Sequence, residues 1–170
     1  MYTIISGTNR ADSHTLRMAK KYREIFQQKG IHAGLLSLEG MNLLKRDAAF
    51  EKIEKEIIIP TTDFIILSPE YNGSFPGVLK LLFDTSESHK IWWNKRALLT
   101  GISSGRAGNL RGMDHLTGVL NYLKITVHPN KLPISQIYKI CDGEGNLTDE
   151  ETIHAIHQQI DEYIEWSKKM

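Results

Sequence analysis

Three polar stretches of this 170-residue chain carry groups able to hold an anionic, partly aromatic ligand. The first is Ser6-Gly7-Thr8-Asn9-Arg10-Ala11-Asp12-Ser13-His14-Thr15. It offers four hydroxyls, one glycine and one arginine directly ahead of a predicted helix. Free N–H groups and the dipole at a helix N-terminus favour a phosphate, and serine and threonine hydroxyls add neutral donors. The stretch lacks the Gly-Lys-[Ser/Thr] of a P-loop and the Gly-x-Gly-x-x-Gly of a dinucleotide fold, which argues against a magnesium-bound nucleoside triphosphate. The second, Ser68-Pro69-Glu70-Tyr71-Asn72-Gly73-Ser74-Phe75-Pro76-Gly77, places an aromatic side chain and an amide before a glycine that permits close approach. The third, Gly101-Ile102-Ser103-Ser104-Gly105-Arg106-Ala107-Gly108-Asn109-Leu110-Arg111-Gly112, is rich in glycine and can wrap a flat polar ring edge with amides. Taken singly, Ser13 reads equally as a helix cap and Asn72-Gly73 as an ordinary turn. Their joint occurrence at one end of a sheet is what marks a site.

The elements that must position these loops are readable from apolar periodicity. Strand-sized apolar runs cover 2–6, 32–38, 64–68 and 97–102, and a fifth candidate covers 125–128, continued by 132–137. The first, third and fourth are near-continuous, as in parallel strands covered on both faces. Helical spacing covers 13–29, 48–59, 77–84, 113–123 and 148–166, and Gly30 stands where a C-terminal left-handed residue belongs. Strand alternating with helix predicts an α/β doubly wound parallel sheet, a single domain over residues 1–170, with ligands bound outside the carboxyl ends of the strands.

Composition narrows the function. With 21 basic and 20 acidic residues the chain is near neutral, which argues against a nucleic-acid partner and for a small-molecule one. One cysteine, Cys141, cannot close an internal disulfide and suits a reducing, cytoplasmic compartment; there is no run of 18 apolar residues, so no membrane partner is expected.

Ile4-Ile5-Ser6-Gly7-Thr8-Asn9-Arg10 with Ser13 and Thr15, then Pro69-Glu70-Tyr71-Asn72-Gly73-Ser74-Phe75-Pro76-Gly77-Val78-Leu79-Lys80, then Ser103-Ser104-Gly105-Arg106-Ala107-Gly108, together resemble the NADPH-dependent FMN reductase family of flavodoxin-like proteins. The resemblance implies a five-stranded sheet in the order 2-1-3-4-5 with helices on both faces. It also implies a bound FMN whose phosphate meets Ser6, Thr8, Arg10, Ser13 and Thr15, with His14, at a position where relatives often have Asn, among the cofactor-binding residues. The ring would lie against Pro69, Glu70, Tyr71, Asn72 and Gly73, with Ser104 and Gly105 near its pyrimidine edge and Ser103 and Arg106 also binding the cofactor. Where relatives often continue Leu-Lys-Asn-Ala-Ile-Asp, this chain has Leu79-Lys80-Leu81-Leu82-Phe83-Asp84. The implied activity passes a hydride from NADPH or NADH to FMN and then electrons to a flavin, quinone, azo compound or metal ion. The alternative is an FMN-binding electron carrier that docks a protein partner; near-neutral charge weighs against it.

Hydride transfer is the cofactor's chemistry, so no catalytic acid, base or nucleophile is expected. Backbone donors of the 71–73 loop would favour the negative charge of reduced flavin, and Arg106 or Arg111 would meet a 2′-phosphate. Trp92 and Trp93 read as helix-end packing. His154 and His157 lack the companions of a metal site, and Asp142-Gly143-Glu144-Gly145-Asn146-Leu147 fails as a calcium loop because its sixth residue is not glycine. It reads instead as a turn into a capping box from Thr148 to Glu151. Apolar residues on more than one face of 113–123 suit a helix buried against both sheet and partner, and the resemblance implies a homodimer or homotetramer.

Overall fold

The first strand, β1 (Tyr2–Ser6), lies between β2 (Ala33–Ser37) and β3 (Asp63–Pro69) in a parallel sheet that continues to β4 (Arg96–Ile102). Residues 1–169 are described in this computed structural model. The order is β2-β1-β3-β4-β5, as the resemblance implies. The fifth place is shared by two short strands, β5 (Thr126–Val127) and β6 (Leu132–Ile134), both paired parallel to β4. The expected continuation of the strand to residue 137 is corrected: Ile137–Ile140 forms a one-turn helix, α5. Pro129 and Pro133 lack the N–H that an unbroken strand would need.

Successive side chains of a strand point to opposite faces, and the sheet has two cores accordingly. Ile5, Phe64, Ile66 and Leu99 face the helices α2 (Ala48–Ile53), α3 (Gly77–Asp84) and α4 (Leu110–Tyr122). Ile4, Ile65, Leu67 and Leu98 face α1 (His14–Gln28) and α6 (Glu150–Lys168). Trp92 is fully buried against Phe64 and Phe83 and donates its indole N–H to Ser86 Oγ, so it packs the core as expected.

Helix ends follow local side chains. Ser13 caps α1 by accepting the Leu16 N–H at 3.1 Å. The second helix runs on as a π turn over Glu54–Ile58, where the buried Glu54 carboxylate takes Arg46 Nε at 2.7 Å and the Glu87 N–H at 2.8 Å. The last helix is capped by Asp149 rather than Thr148. Its carboxylate accepts the Thr152 N–H at 2.9 Å and the Thr152 hydroxyl at 2.6 Å, and a carboxylate is favoured over a hydroxyl at the positive end of the dipole.

At the amino end of the sheet, Arg96 makes a two-pronged bond to Asp63 at 2.7 and 2.8 Å, and the Tyr163 hydroxyl donates to the same carboxylate. Burial by itself would raise the Asp63 pKa, but the Arg96 guanidinium, with the Thr62 and Tyr163 hydroxyls, holds it below its ordinary value. A depressed carboxylate stabilises the fold above its unfolded pKa of about 3.9, and the contribution is lost as pH falls through the lower folded value. Asp63→Asn is therefore expected to lower unfolding free energy by about 2 kcal/mol at pH 7, less than for a fully buried pair because Arg96 is part-exposed. Urea unfolding at pH 7 and pH 3 checks it, the deficit shrinking at the lower pH.

Candidate functional site

The carboxyl end of the sheet holds the site, because the loops after β1, β3 and β4 meet there. Gly7 starts the first loop with its N–H on Leu67 O at 2.9 Å; a Cβ at Gly7 would stand 2.8 Å from that carbonyl, so only glycine lets this loop run against β3. The second and third loops are joined by Glu70 N–H to Ile102 O at 2.8 Å. In the second, Tyr71 and Ser74 exchange backbone bonds of 2.8 and 3.1 Å around Asn72 and Gly73, both left-handed at φ 52° and 76°. This two-residue turn needs positive φ at both central positions, which Asn-Gly supplies. Among the described residues, neither the Asn72 nor the Gly73 N–H is taken up within the chain.

A cleft of about 370 Å³ opens between these loops. Of the sequence-predicted residues it brings together Thr8, Arg10, Ser13, His14, Thr15, Pro69, Glu70, Tyr71, Ser103 and Ser104. Ala11, Asp12, Ile102, Ile137 and Tyr138 complete the wall. Ser6, Asn72, Gly73, Gly105 and Arg106 stand outside the lining. Ser6 is fully buried beneath the first loop, its Oγ unpartnered; Asn72, Gly105 and Arg106 lie exposed at the rim. Ser103 is committed to shaping the third loop, donating to Gly105 O and accepting the Gly108 N–H, both at 2.9 Å.

The cleft lining carries one cation, Arg10, and two carboxylates, Asp12 and Glu70, with apolar wall from Ile102 and Ile137. No acidic residue occupies the first turn of α1, and Arg10 has no carboxylate partner among the described residues. The pKa of His14 is lowered by burial and then by neighbouring Arg17, so its imidazole is neutral at pH 7. Its ring packs edge-on against Tyr138 at 4.9 Å. Cys141 lies outside the cleft lining, half-buried, and burial with the nearby Asp142 carboxylate raises its thiol pKa. No cluster of three metal-ligating side chains exists among the described residues.

Sequence reasoning missed Asn109. It is fully buried and left-handed at φ 60°, and its amide donates to Ser68 O at 2.9 Å and Ser68 Oγ at 3.2 Å, tying the third loop to the end of β3. The signal available was Gly108-Asn109 at a helix start, since asparagine tolerates the left-handed region. That conformation starts α4 at Leu110, ahead of the expected residue 113.

A doubly wound parallel sheet with a hydroxyl-rich loop at the head of α1 and a cleft across three strand ends defines a flavodoxin-like, mononucleotide-binding α/β protein. The chain belongs to the NADPH-dependent FMN reductase family, matched over residues 2–139, which makes it an NAD(P)H-dependent oxidoreductase with FMN as cofactor. It is 26% identical to a 2-hydroxy-1,4-benzoquinone reductase of a Burkholderia species, covering 96% of this chain and 93% of that protein. It is 29% identical to an NAD(P)H-dependent FMN reductase of Pseudomonas aeruginosa, over 83% and 81% of the two chains. The fold of FerB, a flavoenzyme NAD(P)H:acceptor oxidoreductase from Paracoccus denitrificans, matches with a TM-score of 0.83 at 21% identity, covering 99% of this chain and 97% of that one. The uncommitted Thr15 hydroxyl and the Arg10 guanidinium, which has no carboxylate partner among the described residues, line the cleft as a donor set that fits a phosphate ester, and Ile102, Ile137 and Tyr138 fit the flat body of a flavin.

Proposed function

We infer that this chain, acting as one FMN-binding domain over residues 1–170, takes reducing equivalents from NADPH or NADH and delivers them to a small quinone or flavin. What carries the reading is the convergence in one cleft of the Thr8–Thr15 donor loop with the Tyr71 turn and the Ser103–Ser104 loop. The names of the relatives, a quinone reductase and an FMN reductase, support the acceptor class. FMN bound there supplies the hydride and electron chemistry. Thr8, Arg10, Ser13 and Thr15 hold the phosphate. The free Asn72 and Gly73 N–H groups favour negative charge on the nearby ring edge. Ile102 and Tyr138 keep water from one side of the cleft. The test is anaerobic mixing of the FMN-loaded protein with NADPH and with NADH: rapid bleaching of flavin absorbance is expected, and no bleaching by either overturns the reading and favours an electron carrier.

Arg106 and Arg111 are exposed and lack carboxylate partners among the described residues, and the Arg111 guanidinium lies against Gly73. Arg111 at the ring-side turn and Arg106 on the third loop are the cations proposed to meet a 2′-phosphate. Replacing both by alanine is expected to raise the KM for NADPH by roughly tenfold relative to that for NADH, through loss of charge-assisted hydrogen bonds. An unchanged NADPH to NADH preference overturns the assignment.

The chain is further proposed to be a cytoplasmic homodimer or homotetramer, on its single free cysteine and on the exposed Leu110 and Tyr122 of α4. No helix of the described residues is long and apolar enough to cross a membrane.

A further inference from the structure

Tyr71 belongs to the ring-side turn, yet its side chain is spent on the opposite loop. Its hydroxyl lies 2.6 Å from Thr8 Oγ1, and the Arg10 guanidinium carbon sits 4.4 Å from its ring centroid. Thr8 Oγ1 also accepts the Arg10 N–H at 3.3 Å. Thr8 is 1% exposed, so its hydroxyl has few other partners to choose from.

A threonine hydroxyl has one proton to give and two lone pairs to offer. The Arg10 N–H uses one lone pair. An anion held in the loop takes the single proton, and Tyr71 O–H is then left to donate into the remaining lone pair. The result is a one-way chain from Tyr71 O–H through Thr8 O–H to the anion, and hydrogen bonds in such chains polarise and strengthen one another. Without the anion, the Tyr71–Thr8 bond can run in either direction.

The hydroxyl is rigidly linked to the turn that faces the ring. Tyr71 and Ser74 are locked by their two backbone bonds, and Ser74 Oγ lies 2.9 Å from His115 Nδ1 on α4, so the hairpin is held from both sides. Whatever fixes the Tyr71 hydroxyl also fixes the Asn72 and Gly73 N–H groups.

We propose that Tyr71 is a positioning residue that couples the two halves of the cleft: an anion bound between Thr8 and Thr15 tightens the seating of the flavin ring on the 71–74 turn. This rests on the FMN reading given above. By linkage, the factor by which the anion aids the ring equals the factor by which the ring aids the anion.

The test uses riboflavin, which carries the ring without the phosphate, and inorganic phosphate as the anion. The flavin-free chain is titrated with riboflavin by fluorescence quenching, with and without saturating phosphate, at constant ionic strength set with chloride. Phosphate is expected to lower the riboflavin Kd about fivefold or more. Tyr71→Phe, which keeps the ring and the Arg10 stack but loses the hydroxyl, should bring that factor below about twofold, and Thr8→Val should do the same from the other end of the bond. A riboflavin Kd unmoved by phosphate, while FMN still binds, overturns the coupling and leaves the FMN reading intact. Coupling that persists in both variants overturns the role of Tyr71. Failure of both FMN and riboflavin to bind overturns the FMN reading itself and the proposal with it.

Discussion

Asn109→Ala is expected to lower the unfolding free energy by about 2–3 kcal/mol and FMN affinity by at least about tenfold. Alanine in the left-handed region costs roughly 1–2 kcal/mol, because its Cβ crowds the carbonyl. Loss of the amide removes two buried hydrogen bonds to Ser68, each worth about 1 kcal/mol net. Part of the loss is returned, because Asn109 Oδ1 is itself buried without a partner. Two further variants separate the contributions. Asn109→Gly keeps the backbone conformation and isolates the amide, so it should cost less than alanine. Asn109→Asp sets a carboxylate where the amide donated to Ser68 O and should cost more than either. The functional loss follows from the same bonds: Ser68 directly precedes Pro69-Glu70-Tyr71, and an untied strand end lets the turn wander relative to the third loop. Urea unfolding of the flavin-free chain and FMN titration of the three variants measure both effects. Equal stability across the series would show that the tie does not hold the loops.

Asn109 also shows where sequence reading stops. Signals that depend on near neighbours came through: α3 runs from Gly77 to Asp84 as its spacing predicts, and β1 from Tyr2 to Ser6. Those that depend on a partner remote in the chain did not. The π turn after Ile53 is fixed by Glu54 gripping Arg46 and the Glu87 backbone, and periodicity carries no trace of that. The break between β5 and β6 was foreshadowed by Pro129 and Pro133, but their pairing with successive parts of β4 was not.

The site divides the same way. The loops were readable because turn and anion chemistry demands particular residue types within ten positions or so. The direction in which each side chain is spent was not. Tyr71 reads as a surface for a ring and reaches Thr8 instead; Ser103 reads as a ligand donor and braces its own loop; Ser6 reads as a phosphate contact and lies beneath the loop. In each case the sequence contains the hydroxyl, and only the packing of loop against loop decides what it meets.

Removal of the Thr15 and Ser13 hydroxyls in the first loop should weaken FMN in both cases but cost stability only at Ser13, and the contrast isolates the phosphate contact. Thr15 is 2% exposed and lines the cleft, and its hydroxyl makes no hydrogen bond within the chain among the described residues. Thr15→Val is near-isosteric and breaks no hydrogen bond within the chain among the described residues, so the flavin-free chain should keep its Tm to within about two degrees. FMN affinity should fall by roughly ten- to a hundredfold, the worth of one charge-assisted hydrogen bond, while riboflavin affinity changes less than about twofold. Ser13 both caps α1 and faces the cleft, so Ser13→Ala should lower stability by about 1 kcal/mol as well as weakening FMN. The pH dependence gives a further check. A phosphate monoester loses its second proton near pH 6, whereas His14 is held below its ordinary value by burial and by Arg17 and is already neutral at pH 7. Between pH 7 and 8 neither group changes charge appreciably, so the ratio of FMN affinities, native to Thr15→Val, should stay flat. Calorimetric titration with FMN and with riboflavin at both pH values reads each of these quantities. Equal losses for FMN and riboflavin would move Thr15 from the phosphate to the ring and with it the orientation of the flavin in the cleft.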